Sequence, residues 1–450
     1  MEQRLDSLRK SLEKREVGLL RALSQGQMVM MSIGSAIGTG LFLGSGYAIS
    51  LAGPGVALSF VLGAFISYTV GSALSELTRV IPTTGAFGNH AEVFIGRYLG
   101  FLVRYMYWFS EVFAIGANIA ASSIYMSYWF PGVSPILWMI AFGLSLFVLN
   151  SLTVRTLGTA EFLLSMIKSA MIVLFIVAGS YIILRPEHFG TSSALLNDGL
   201  MPKGLLGIWL ATVVAIYSFI GIEVVGVTSG EAKNPEKDAP KALRNTLVLL
   251  TLLYVGAIII IVSMIPPNMA GLSESPFVLA FREVGIPAAA SIINFVILTA
   301  AISGANTNLY LTSRMLFSLA RGGMAPKKLE ALNKFKAPFN ALLASMIGVA
   351  AATVLAYGFG SSSSYLIAFG IATFGGIFTW ASILASHIAY SLKFNKGRLP
   401  LLSFIGEALL LSALATTAIT PGLEVTIPSG IATIFVLSLL YKHSKNSSHR

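Results

Sequence analysis

Residues 33–46 read Ile33-Gly-Ser-Ala-Ile-Gly-Thr-Gly-Leu-Phe-Leu-Gly-Ser-Gly46. The run is apolar, yet it holds Gly34, Gly38 and Gly40 within seven residues. Glycine costs roughly 1 kcal/mol against alanine in a helix interior, so a helix unwinds cheaply here. A second segment of the same kind reads Ser218-Phe-Ile-Gly221-Ile-Glu223 and continues to Gly226 and Gly230. Two readings of the first run stand side by side. It is a broken helix, or Gly34-x-x-x-Gly38 is a small-residue surface that lets two helices approach closely.

The surroundings of these runs decide the class. The chain has 450 residues, of which 55% are hydrophobic and 11% charged, and it has no cysteine. Its mean hydropathy is +0.79. Soluble domains carry about 25% charged residues, and a soluble fold this long cannot spare so much polar surface. A cytosolic enzyme, a disordered protein and a nucleic-acid binder are excluded. The absence of cysteine removes disulfides, thiolate nucleophiles and Cys-ligated metals. The first 25 residues are charged and show no cleavable signal.

Apolar runs long enough for a ~30 Å hydrocarbon core occur near 26–50, 54–78, 100–129, 134–152, 157–184, 205–229, 246–265, 288–318, 339–357, 364–390, 400–420 and 427–441. The expectation is an all-α polytopic membrane protein with 12 transmembrane helices. With the N-terminus inside, 26 of the 30 Lys and Arg residues fall on the cytoplasmic side. Arg185, Lys203 and Arg282 fall outside, and Lys168 lies within a span. Such asymmetry sets orientation. It places both termini in the cytoplasm of a multi-pass plasma (inner) membrane protein. The net charge of +11 is thus an orientation signal, and no nucleic-acid partner follows from it.

The two glycine-rich segments are spans 1 and 6. Helices five spans apart cross the membrane in opposite directions, as an inverted repeat of five plus five requires. Matching interrupted helices in two such halves point to a transporter binding site. The halves are residues 26–185 and 205–390, preceded by a basic segment 1–25. Two more helices span 400–441, and 442–450 is a cytoplasmic tail. An unwound turn frees N–H groups that attract a carboxylate and carbonyls that accept from an ammonium. One broken pair can therefore hold the backbone of an amino acid.

The 33–46 stretch closely resembles the first-helix signature of amino acid permeases in the amino acid–polyamine–organocation superfamily. Further resemblance runs through Ile81-Pro-Thr-Thr-Gly-Ala-Phe87, Tyr107-Trp108 and Ile124-Tyr-Met-Ser-Tyr-Trp-Phe-Pro131. It continues through Gly221-Ile-Glu223 with Gly230-Glu-Ala-Lys-Asn-Pro235, and Ser303-Gly-Ala-Asn306 with Leu309-Tyr310. It covers roughly residues 15–330 and fits best the branch with bacterial GABA, proline and aromatic amino acid permeases. The resemblance implies a LeuT-like fold, alternating access, and substrate held at the breaks of helices 1 and 6. It implies that Gly38, Thr39 and Gly40 meet the carboxylate through backbone N–H groups. Carbonyls of Ile33, Ser35 or Ala36, with Phe219, would meet the amine, and Phe219 would cover the substrate as an aromatic lid. Gly221 marks the second break. Asn118 departs from the pattern, since several relatives carry an acidic residue there, so their exact substrate is not carried over.

Lys168 lies deep in span 5, where a charge costs roughly 2.5–3.5 kcal/mol on insertion scales. In Glu161-Phe-Leu-Leu-Ser-Met-Ile-Lys168 it resembles a fifth-helix lysine that stands in for a sodium ion in proton-coupled relatives. A lysine that loses and regains its proton as the broken helix moves would couple uptake to protons. The other reading is a permanently charged brace between helices 1, 5 and 8. Glu111 in span 3 is a pocket residue, a second proton site, or a partner of an arginine such as Arg104. It shares a helix face with Asn118. Glu223 bonds freed backbone donors, acts at the inner gate, or is structural. Ser303 and Asn306 share a face of span 8 and either line the cavity or bond between helices. Glu76 and Glu161 are read as interfacial, and Glu407 has no assigned role.

The basic run 314–336 is read as a loop touching anionic lipid. The five histidines form no metal-binding spacing, so neither metal nor cofactor is expected. The function that follows is import of an amino acid, or a GABA-like one, together with protons. An exchanger, a sodium-coupled carrier and a polyamine transporter are alternatives. A membrane-embedded transferase lacks its catalytic groups here, a channel lacks a filter or charge ring, and ATP drive lacks a P-loop. Neither the amino acid carried nor the oligomeric state follows from the sequence.

Overall fold

In a bilayer no water reaches the backbone, so an apolar run must satisfy its own N–H and C=O groups, and a helix does so within one segment. The computed structural model describes residues 23–83, 85–152, 157–185, 199–394 and 399–447. Among these residues the chain is helical apart from short connections and one isolated parallel bridge, Leu23 to Ala232. The basic residues before Leu23, Arg155, Lys396, Arg398 and the last three residues lie outside the described residues.

The first half comprises α1 (Gln25–Ala36), α2 (Ser45–Ala52), α3 (Val56–Val80), α4 (Ala86–Phe94), α5 (Arg97–Ser127), α6 (Pro135–Leu152) and α7 (Leu157–Ile183). Then come α8 (Gly204–Phe219), α9 (Val224–Thr228), α10 (Pro235–Met264), α11 (Pro276–Glu283), α12 (Pro287–Arg321), α13 (Phe339–Ser345), α14 (Ile347–Phe359) and α15 (Ser361–Phe394). The chain closes with α16 (Leu401–Thr416) and α17 (Thr426–Ser447). A helix, or a pair of half-helices, lies over each apolar run of the sequence. Among the described residues, eight segments are long and apolar enough to cross a bilayer, and α16 and Thr426–Lys442 are shorter apolar helices. Helix α5 is long enough but is diluted by Arg104, Glu111, Asn118 and several hydroxyl side chains.

Two local differences from the sequence reading have clear causes. Helix α10 starts at Pro235 rather than near 246 and draws the basic run into its first turns. Proline sits at its first helical position, Glu236 and Asp238 lie in the first turn, and the Asn234 N–H donates to Asp238 Oδ2 at 3.1 Å. All three favour a helix start. The short helices α4 and α11 carry no long apolar run. The second is started by Pro276 and by Ser275, whose Oγ accepts from Phe277 N–H at 3.3 Å.

Helix α5 is the centre of the bundle, packed against α12, α14 and α15, while α3 packs against α8 and α10. The ends are tied by polar contacts. At the end carrying the basic loops, Leu23 N–H donates to Glu231 O and Lys233 N–H to Leu23 O, at 2.9 and 3.0 Å. Ser24 and Gln27 form a reciprocal capping box that starts α1, a motif worth about 1 kcal/mol. Arg104 donates to Glu92 at 2.8 Å and to Asn89 at 2.6 Å. His90 is fully buried on α4, and its Nε2 bonds the Ile81 carbonyl at 2.9 Å. At the opposite end Ser275 Oγ donates to Phe42 O at 2.6 Å, and Phe277 packs edge-on to Phe42 at 5.3 Å. The loop before α11 therefore rests on the second half of span 1.

Candidate functional site

Span 1 is interrupted where the glycines crowd. Helix α1 stops at Ala36, and Ile37 turns extended (ψ 97°) while its N–H still reaches Ile33 O. The chain resumes at Thr39, passes through a wide π-helical turn over Gly40–Gly44 and enters α2. A single π turn inside an α-helix frequently marks a functional site. The first N–H groups after the gap and the last carbonyls before it have no partner within their own half-helix. Span 6 breaks likewise. Helix α8 stops at Phe219, Ile220 is extended (ψ 133°), and Gly221 takes φ +119° before α9.

The two breaks touch. A Cβ added to Gly221 would lie 2.7 Å from Ala36 N and 2.9 Å from Ser35 C. Only glycine allows both that φ and that approach. Ser32 Oγ donates to Gly221 O at 3.0 Å. Glu223 Oε2 accepts from the Gly221 N–H at 2.9 Å and from Trp380 Nε1–H at 3.0 Å. Its Oε1 is buried without a hydrogen-bond partner among the described residues.

A cavity lies beside the crossing. Span 1 contributes Ser35, Ala36, Gly38, Thr39 and Gly40, and span 6 contributes Tyr217, Ile220 and Gly221. Helix α5 contributes Ser110, Glu111, Ala114 and Asn118, and α12 contributes Gly304 and Asn308. The volume is about 50 Å³. A buried water needs about 10–15 Å³ on this measure, so the cavity has room for a few waters. Thr39 Oγ1 donates to Asn118 Oδ1 at 3.0 Å, and the Tyr365 hydroxyl donates to Thr39 O at 2.9 Å. These bonds fix the start of the second half-helix against α5 and α15.

Of the residues singled out from the sequence, Ser35, Ala36, Gly38, Thr39, Gly40, Gly221, Glu111 and Asn118 meet at this cavity. Ile33 is fully buried behind it, and its carbonyl already accepts from Ile37 N–H at 2.8 Å. Phe219 does not face the cavity. It packs on Tyr254 at 5.0 Å between ring centroids. The aromatic side chain at the cavity is Tyr217, two residues earlier, held against Phe369 at 4.2 Å. Gly40 leaves room for it, since a Cβ there would meet Tyr217 Cδ1 at 2.9 Å. Ser303 and Asn306 are likewise off the cavity wall. Asn306 Oδ1 accepts from Asn150 Nδ2 at 2.8 Å, and α12 presents Gly304 and Asn308 instead.

Lys168 is 1% exposed, and its Nζ donates to Gly34 O at 3.2 Å. That carbonyl would bond the N–H of Gly38 in an unbroken helix, so the break frees it for the ammonium. Glu111 does not pair with Arg104, which is held by Glu92 and Asn89. Glu76 Oε2 meets His387 Nε2 at 3.0 Å, and His387 Nδ1 meets Ser403 Oγ at 2.8 Å. Glu407 Oε2 is buried without a partner among the described residues, and the Glu161 side chain lies outside them. Sequence reasoning missed Ser110, Tyr217, Asn308 and Tyr365. Their positions depend on the rotation of each helix, for which no local signal exists.

The family model described as Amino acid permease matches residues 27–434. The chain is 36% identical to a putative histidine permease of Bacillus subtilis over 448 residues, covering 95% of this chain and 94% of that one. It is 38% identical to a D-serine/D-alanine/glycine transporter of Escherichia coli K12 over 387 residues, covering 83% and 81%. The crystal structure of MhsT in complex with L-phenylalanine shares the LeuT-like fold. Its TM-score is 0.59 at 16% identity, over 89% of this chain and all of that one. With its apolar helices and two breaks crossing at Gly221 and Ala36, the chain is an integral multi-pass membrane protein, a transporter rather than an enzyme, and it belongs to the amino acid permease family.

Proposed function

We propose that the protein imports an amino acid across the plasma membrane by proton-coupled alternating access. The observation that carries this reading is the crossing of the two helix breaks beside a small cavity, with Lys168 bonded to the carbonyl that the first break frees. The half-helix starting at Thr39 offers N–H groups to a carboxylate. The Ser35 and Ala36 carbonyls, together with Asn308, offer acceptors to an ammonium. A bound amino acid thus joins the two halves of span 1. Moving those halves changes the surroundings of Lys168, and a proton carried on its Nζ would move with the substrate cycle.

This reading takes the chain as 12 spans, a 5+5 inverted repeat plus two helices, with both termini cytoplasmic. The charge asymmetry of the loops supports it. An exchanger is the second reading, and it keeps the same cavity without net proton movement. A sodium-coupled carrier is disfavoured because an ammonium already occupies the Gly34 carbonyl. The test is uptake by the purified protein in liposomes under an inward proton gradient, with and without sodium. Accumulation driven by the gradient and indifferent to sodium is expected. Accumulation that needs sodium, or none under any gradient, would overturn the reading.

A further inference from the structure

We propose that Glu111 is the specificity group of the cavity and selects amino acids whose side chain ends in a positive charge. The inference rests on the amino acid transport reading above. Glu111 is 7% exposed and belongs to the cavity wall. Among the described residues, its carboxylate has no hydrogen-bond donor and no ion-pair partner. Every other residue of the wall is uncharged, and none is Lys, Arg or His. The Glu223 carboxyl group lies within electrostatic range of it and adds to the negative potential rather than balancing it.

An amino acid's own ammonium and carboxylate are already matched by the freed carbonyls and N–H groups of the breaks. The Glu111 carboxylate is then surplus for a neutral substrate. A buried carboxylate without a partner is strongly disfavoured, and a cationic side chain removes that penalty. A neutral side chain leaves it in place, which gives discrimination, because a site built around a polar group rejects ligands that leave the group unpaired.

The spacing sets the length of that side chain. Asn118 bonds Thr39 at the start of the second half-helix, where the substrate carboxylate belongs. Glu111 lies seven residues earlier on α5, on the same face, which is about 10 Å along the axis. Ornithine, lysine and arginine span roughly 6–9 Å from carboxyl carbon to terminal nitrogen when extended, on bonds of about 1.5 Å. One hydrogen bond of about 3 Å completes the distance. Alanine, serine and glycine stop well short of Glu111, and leucine reaches toward it with no donor.

The experiment is counterflow in proteoliposomes, with L-lysine, L-ornithine, L-arginine, L-alanine, L-leucine and L-glutamine as the panel. The wild-type protein is expected to exchange the basic members at least ten-fold faster than the neutral ones. Glu111→Gln is expected to lose that preference at least ten-fold, and Glu111→Asp to retain part of it. Exchange of neutral amino acids with exclusion of basic ones overturns the proposal and leaves amino acid transport standing. An unchanged preference in Glu111→Gln also overturns it. Exchange of no amino acid overturns the transport reading and the proposal together. Should Glu111→Gln fail to fold, the wild-type preference alone decides.

Discussion

Lys168 Nζ and the carbonyl of Gly34 are 3.2 Å apart, which joins the middle of α7 to the last turn of α1 at the point where span 1 unwinds. The contact exists because the break withdraws the N–H that would otherwise claim the Gly34 carbonyl. Lys168→Gln is one atom shorter and keeps amide N–H donors but removes the charge. Proton-gradient-driven accumulation should fall at least ten-fold, while counterflow at equal pH survives. Accumulation at the wild-type level in Lys168→Gln would sink the coupling role.

Gly221 is the contact between the breaks. Gly221→Ala forces a side chain into φ +119° and to within 2.7 Å of Ala36 N. Backbone strain of this kind costs about 1–3 kcal/mol, and the clash adds to it. The expected result is a melting temperature lower by several degrees and at least ten-fold slower counterflow. A variant with full stability and full transport would show that the breaks need not touch.

Tyr217 and Phe219 separate a cavity role from a packing role. Tyr217→Leu should raise the KM for transport at least five-fold with little change in melting temperature. Phe219→Leu should lower stability by about 1 kcal/mol, the scale of a modest core volume change, and leave KM unchanged. The opposite pattern would restore Phe219 as the residue that covers the substrate.

His90 lies outside the spans, on α4, and burial lowers its pKa from 6.5 to about 4. Its Nε2–H bonds the Ile81 carbonyl, and its Nδ1 has no partner among the described residues. Between pH 6.5 and about 4 the unfolded chain binds this proton and the folded chain does not. The stabilisation is therefore present above pH 6.5 and lost as the pH falls toward 4. Thermal melting of the wild type should drop over that window. His90→Gln, which does not titrate there, should show a flatter profile, and equal slopes would refute the assignment.

The breaks in spans 1 and 6 were legible because glycine density is a local property, and six of the eight expected residues that meet at the cavity lie on those breaks. Lys168 stood out because a lone charge in an apolar run has few permissible partners. The aromatic side chain at the cavity was not legible. Tyr217 and Phe219 are two residues apart on α8, and which one faces inward depends on how that helix rotates against α3 and α15. The same shift displaces Ser303 and Asn306 in favour of Gly304 and Asn308, one or two positions along α12. Tyr365 bonds Thr39 across 326 residues of sequence, and nothing local announces such a contact. Helix α11 came from Ser275 and Pro276, a start signal too short to weigh against the long apolar runs around it.

The most direct test follows protons and substrate in the same vesicle. Proteoliposomes carrying an internal pH dye, with no imposed gradient and no sodium, receive external amino acid. Internal acidification that tracks labelled uptake is expected in the wild type and is expected to be absent in Lys168→Gln. Uptake of the amino acid by the wild type with no movement of protons would contradict proton coupling through Lys168.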